Sequence, residues 1–198
     1  MRNVRASETL ARGLLLLVVV GAILVLPTIG FHWWQDRGEW FPMSVGDRWT
    51  YVDGSSPERV VFAVLRRETD GAFVVERRIG NDRVHFVLSV TRDSVFLLGT
   101  TGVPFNPPFE EFRLPQLAGS DWTYEGVFGQ HPVSVSSRRE ILGRRSFQVE
   151  EHSSLSGRTT FTLERGKGVV RLKGKRTDIH SSGFRVFDWT LEKFERGG

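Results

Sequence analysis

The side chains that could carry chemistry are few and scattered. Histidines stand at His32, His85, His131, His152 and His180. None belongs to an HExxH pair, and the chain has no cysteine, which excludes a Cys/His metal set, a thiolate nucleophile and a disulfide. His85 lies between Val84 and Phe86, and on a strand it points away from both. Carboxylates occur in two adjacent doublets, Glu110-Glu111 and Glu150-Glu151. Neighbours on a strand face opposite ways, so neither doublet can by itself form the two-carboxylate pair of a glycoside hydrolase. No Gly-x-Ser-x-Gly elbow, Walker loop or dinucleotide fingerprint occurs. The residue types argue against an enzyme and assign no catalytic residue, metal ligand or cofactor.

Two stretches have the chemistry of contact instead. GVPFNPPFEEF at 102–112 contains three prolines and three phenylalanines. It is stiff and extended, and its prolines exclude it from a central strand. Phe105, Phe109 and Phe112 then either strap the open end of a core or form a preorganised docking loop. RGKGVVRLKGKR at 165–176 places Lys167, Arg171, Lys173 and Lys175 at one strand parity, with Val169 the only apolar residue on that face. That pattern fits a solvated edge strand guarded by charge, or a platform for anionic lipid headgroups or an acidic partner.

Charge restricts the partners further. The chain has 27 basic and 23 acidic residues, a formal net charge of +4. Arg2, Arg5 and Arg12, against one glutamate, supply half of that excess before the fold begins. A remaining excess of +2 is too small and too dispersed for a protein that works by neutralising phosphates, so nucleic acid is not expected.

Residues 13–31 (GLLLLVVVGAILVLPTIGF) form an uncharged run of 19 residues, which as a helix spans roughly 28 Å, about the thickness of a bilayer core. Arginines precede it, and Trp33 and Trp34 follow where an aromatic belt belongs. The run predicts a retained signal anchor over residues 13–34, with residues 1–12 cytoplasmic and 35–198 exported. The competing reading is a cleaved signal peptide with its apolar region at 14–26, but no clear small-x-small site follows it.

What must position these groups is a repeated unit. VGDRWTY at 45–51 returns as AGSDWTY at 118–124, and Pro42 and Pro115 each stand seven residues before their tryptophan. Further landmarks keep step: Phe86, Leu88 and Gly99 correspond to Phe161, Leu163 and Gly174. Each unit reads as about five short apolar runs separated by turn signals, over residues 41–101 and 113–176, and a final alternating run covers 184–194 with Phe187, Trp189 and Leu191 on one face. Short strands with frequent turns predict antiparallel meanders. The expected fold is all-β: two tandem repeats of about five strands, packed as a sandwich or rolled into one barrel-like sheet, behind one N-terminal transmembrane helix. Trp49 and Trp122 are expected to anchor its core.

FPMSVGDRWTY (41–51), EILGRRSFQVE (140–150) and FTLERGKGVVRL (161–172) resemble a broad group of bacterial exported domains and lipoproteins of unknown function. In that group a Pro-x-x-x-Gly-x-x-Trp-x-Tyr phrase opens the β-domain and recurs midway. The resemblance covers about residues 41–172 and implies fold and compartment: a single-pass protein of the bacterial inner membrane with a periplasmic domain. It implies no reaction, and this chain lacks the group's lipid-attachment cysteine. The leading expectation is a non-enzymatic accessory or scaffolding subunit of a larger membrane complex, touching lipid through its helix and other subunits through its exposed face. The alternative is a carrier or sensor that holds an apolar ligand inside the β-core. A carrier requires an open apolar cavity; a scaffold requires a filled core.

Overall fold

A computed structural model describes residues 40–54, 56–177 and 184–198. The anchor expected over 13–34 lies outside the described residues. Among these residues no helix is long and apolar enough to cross a membrane, which says nothing of strands.

Twelve antiparallel strands form one closed barrel. They are β1 (Arg48–Asp53), β2 (Ser56–Arg67), β3 (Phe73–Ile79), β4 (Asp82–Val90), β5 (Ser94–Thr100) and β6 (Val103–Arg113), then β7 (Asp121–Phe128), β8 (His131–Gly143), β9 (Ser146–Ser153), β10 (Gly157–Glu164), β11 (Gly168–Thr177) and β12 (Phe184–Glu195). Each strand pairs with its sequence neighbours, and β12 returns to pair with β1. Closure leaves no edge to template aggregation. Of the two arrangements expected, the rolled sheet is the one found.

The alternation in sequence is what gives the wall two faces. In β8, Val133, Val135, Ser137 and Arg139 are buried while the residues between them are exposed; in β9 the buried set is Phe147, Val149 and Glu151. Trp49 and Tyr51 in β1, and Trp122 and Tyr124 in β7, also point inward and are buried. Phe187 and Trp189 in β12 lie 4.9 Å apart between ring centroids, tilted by 36°, on the expected face.

The connection 102–112, expected outside the sheet, is instead β6, a twelfth strand that the sequence count missed. Its prolines are accommodated by changing partners. Phe109, Glu110, Phe112 and Arg113, and before them Val103 and Pro104, pair with β5, whereas β7 is joined only at Phe105↔Phe128 and Asn106↔Val127. Pro107 and Pro108 have no N–H to offer, so the β6–β7 ladder ends there. Side chains take over: the Tyr124 hydroxyl donates to the Pro107 carbonyl (2.8 Å) and Trp122 Nε1 to the Glu110 carbonyl (2.9 Å). Gly126 makes this possible, because a Cβ there would overlap the Tyr124 phenol and crowd the Asn106 carbonyl. The same residue types in β1 act on β11, where Trp49 Nε1 donates to the Lys167 carbonyl (2.6 Å) and the Tyr51 hydroxyl to the Val169 carbonyl (2.7 Å).

Odd-numbered hairpin connections and even-numbered ones lie at opposite ends of an up-and-down barrel. At the end where the chain enters, Trp40 packs edge-on against Phe147 (5.1 Å) and Phe41 against Phe112 (5.8 Å), so the approach segment stoppers the barrel. Asp47, 1% exposed, accepts from the Ser44 and Gly197 amides (2.8 Å each) and ties the entering chain to the leaving one. Arg139 secures the β6–β7 connection by donating to the carbonyls of Arg113, Leu114, Leu117 and Gly119. Burial, together with the charge of Arg113, lowers its pKa.

Replacing Trp49 or Trp122 by Ala should cost ~3–5 kcal/mol in urea unfolding, and replacement by Phe ~1–3 kcal/mol, because the ring stays but a carbonyl loses its donor. A Phe variant as stable as the native chain would show that the indole N–H bonds contribute nothing to closing the barrel.

Candidate ligand cavity

Behind the stopper the barrel encloses a cavity of about 620 Å³. Phe62, Phe86, Leu97, Phe105 and Trp189 make up much of its wall, from strands all round the sheet. The cavity reaches the surface at the end opposite the stopper, where the exposed Asp82 and Leu155 belong to its lining. The volume lies within the range of small-molecule sites, roughly 300–1,000 Å³.

A few polar groups interrupt this apolar lining: Arg77, Asp82, Glu111, Glu151, Ser153 and Thr159. Arg77 lies over the Phe86 ring, 6.0 Å from its centroid. Glu151 is 6% exposed, and its Oε1 has no hydrogen-bond partner. Its register neighbours are Ser137 on β8 and Thr159 on β10, and the Ser137 hydroxyl also lacks a partner. Glu111 is half-buried and lines the cavity. Burial raises its pKa from 4.5 to about 7. Burial raises that of Glu151 well above the usual carboxylate range, and the Glu111 charge pushes it further. Among the described residues no cation offsets either shift, so near neutral pH the two carboxyls behave as a pair that holds on to protons.

The outward members of the two doublets are ordinary. Glu110 accepts from Ser94 Oγ (2.5 Å) and Arg113 Nε (2.8 Å). Glu150 meets His152 and Arg158 at 2.8 Å each, and these bonds lower its pKa. The expectation that doublet members face opposite ways holds. What it missed is that the inward members, from β6 and β9, share one interior. Register explains the geometry: β6 bulges where Val95 pairs with Phe112 and Phe96 with Glu110, leaving Glu111 unpaired. Bulges re-aim side chains, and here Glu111 and Phe112 both reach the inner wall.

The residues singled out for contact have other places. Phe109 and Phe112 are 6% and 2% exposed and Phe105 packs against the core, so all three belong to the interior and not to a docking surface. Phe105 and Phe128 lie 4.7 Å apart between centroids, on the only β6–β7 ladder rungs. Lys167 occupies the β10–β11 turn beside Glu164 (3.0 Å), and Arg171 grips Asp188 in a two-pronged pair (2.6 and 2.8 Å). Lys173 and Lys175 are exposed on the outer face with Arg171. A bulge skips Val170 between the pairs Thr162↔Arg171 and Leu163↔Val169, which turns Val169 inward and breaks the single parity expected for this stretch. The strand is not an edge, since β10 and β12 flank it. His85 faces outward near Glu76 (3.6 Å), and His131 and His152 are exposed. Among the described residues no group of three or more His, Asp or Glu side chains could hold a metal ion. The chain matches no protein-family model, no curated protein and no solved structure.

A carboxyl that binds its proton more tightly in the fold makes the fold less stable as it ionises. Stability from Glu111 is therefore full below about pH 4.5 and is lost as pH rises to about 7, by on the order of 3 kcal/mol for a shift of this size. The ligand-free protein should become easier to unfold in urea between about pH 5 and about pH 7.5, and Glu111→Gln should flatten that slope. An equal slope in the variant would place the titrating group elsewhere.

Proposed function

We propose that this chain is a carrier or sensor that holds an apolar ligand inside its barrel, tethered to a membrane by its apolar N-terminal run and facing the extracytoplasmic side. The cavity of about 620 Å³ carries the reading. Rings such as those of Phe62, Phe86, Phe105 and Trp189 line the wall around this space and do not fill it. Apolar walls favour transfer of hydrocarbon out of water by about 25 cal/mol per Å² buried, and only a few polar groups are present to orient it. The proposal assigns no reaction, nucleic acid or cofactor to the chain. Bacterial inner-membrane placement with a periplasmic domain rests on the arginines before the apolar run and on the resemblance of the repeated phrase.

Duplication accounts for how such a barrel is made. Counting β6 and β12, each copy would supply six strands. Matching backbone bonds favour this: the Val64 amide donates to the Asp47 carbonyl (2.9 Å), and at the corresponding places the Arg139 amide donates to that of Ser120 (2.6 Å). The two Trp-Thr-Tyr phrases also use their side chains alike.

The scaffolding reading retains one supporting observation. Ile141 and Leu142, 55% and 51% exposed, stand beside the exposed Arg144 and Arg145 at the β8–β9 hairpin, at the end where the chain enters. Such a tip suits an anionic membrane surface or a subunit near it, and it is compatible with a loaded barrel.

The test is what the full chain carries when it is extracted from its membrane in polymer-bounded lipid particles. Mass spectrometry of the extract should find an apolar molecule in stoichiometric excess over bulk lipid. Leu97→Trp, which puts a ring into the cavity, should reduce that excess at least tenfold with melting unchanged. Equal recovery from the plugged variant, or no enrichment from either, would overturn the carrier reading.

A further inference from the structure

We propose that the ligand of this cavity bears a cationic amine, and that Glu111 and Glu151 together receive it while the aromatic wall holds its apolar body. The proposal rests on the carrier reading and names the chemistry of the ligand's polar end.

Three observations point the same way. Two carboxyl groups from different strands face one largely apolar interior. Glu151 is more than nine-tenths buried, lines the cavity and has an oxygen with no hydrogen-bond partner. The Ser137 hydroxyl, its register neighbour behind the cavity lining, is also buried and unpartnered. Buried polar groups are nearly always satisfied, and an exception in a cavity wall marks where a ligand atom completes the set.

The missing partner is a donor with positive charge. Among the other charged groups, Arg139 is consumed by four backbone carbonyls, and Arg77, at the β3–β4 side of the wall, lies over the Phe86 ring. Among the described residues neither Glu111 nor Glu151 is joined to a cation. An ammonium offers three N–H donors, enough to bridge two carboxylates, in hydrogen bonds strengthened by charge. The rings of Phe105 and Trp189 on the same wall favour a cation as well. A fatty carboxylate would set a further acid beside the pair, and an alcohol brings a single donor. A divalent metal needs more oxygen ligands than these two side chains supply, and a sugar would leave its hydroxyls against hydrocarbon.

Proton balance makes the proposal measurable. In the empty cavity near pH 7 the pair retains a proton; an entering ammonium stabilises both ionised forms and expels that proton to solvent. Octylamine, octanol and octanoate, equal in chain length, can be titrated into the full chain held in amphipol, with empty amphipol as the blank. Calorimetry in two buffers of different ionisation heat then counts protons. At pH 7 the amine should bind at least tenfold tighter than the alcohol, octanoate weakest, and only the amine should release protons, approaching one per site. In Glu111→Gln/Glu151→Gln the amine preference should vanish while octanol binding stays, whereas Glu140→Gln, on the outer surface, should behave like the native chain. Equal affinities for all three probes would overturn the amine assignment and leave the carrier reading standing. Binding of none would overturn both. An amine preference that survives in the double variant would show that other groups hold the cation, as would amine binding without proton release in the native chain, a measurement that needs no variant to fold.

Discussion

Closing an antiparallel sheet at twelve strands fixes the width of its interior, and every other feature of the molecule answers to that width. Barrel diameter grows with strand number, and about eight strands already give an interior that side chains just fill. Twelve leave a space that aliphatic residues cannot span. The chain responds with aromatics on nearly every strand and with an entering segment, Trp40–Met43, folded against the core clusters. Near the stopper, Val95, Phe147, Val149 and Leu163 are fully enclosed. Toward the other end the rings line a void. The gradient from filled to open along one axis gives the cavity a floor, a wall and a mouth.

Closure has one short seam: Pro107 and Pro108 offer no N–H, and the β6–β7 ladder holds only two pairs. Tryptophan and tyrosine suit such seams because one end packs while the other donates a hydrogen bond. Trp122 and Tyr124 give their hydrogens to β6, Trp49 and Tyr51 to β11, and burial raises the pKa of both tyrosines, keeping each hydroxyl a donor. The repeated Trp-Thr-Tyr phrase is thus a device for stitching carbonyls that the sheet leaves unpaired. Its threonine, at the opposite parity, faces outward.

Much of this was legible in the sequence. Alternation and turn spacing gave the all-β class and most strands, and the spacing of Trp49 and Trp122 marked two core anchors. The connection 102–112 was misread because proline excludes a residue from donating, not from accepting or from lining a wall, and β6 uses both freedoms. Val169 was assigned to the wrong face because strict alternation fails at a bulge, which no residue type announced. The carboxyl pair was half legible. Each Glu-Glu doublet shows one member facing in, but joining Glu111 to Glu151 requires knowing that β6 and β9 curve around one cavity. Their separation in sequence gives no hint of it.

The central claim is that the barrel's interior is a space for a hydrocarbon and not a packed core. A crystal structure of the chain soaked with a bromine-tagged alkylamine tests it most directly. The account predicts an anomalous peak inside the barrel, among Phe62, Phe86 and Phe105, with the amine end toward Glu111 and Glu151. Bromine found only on the outer surface, around an interior closed by its own aromatic rings, would contradict it.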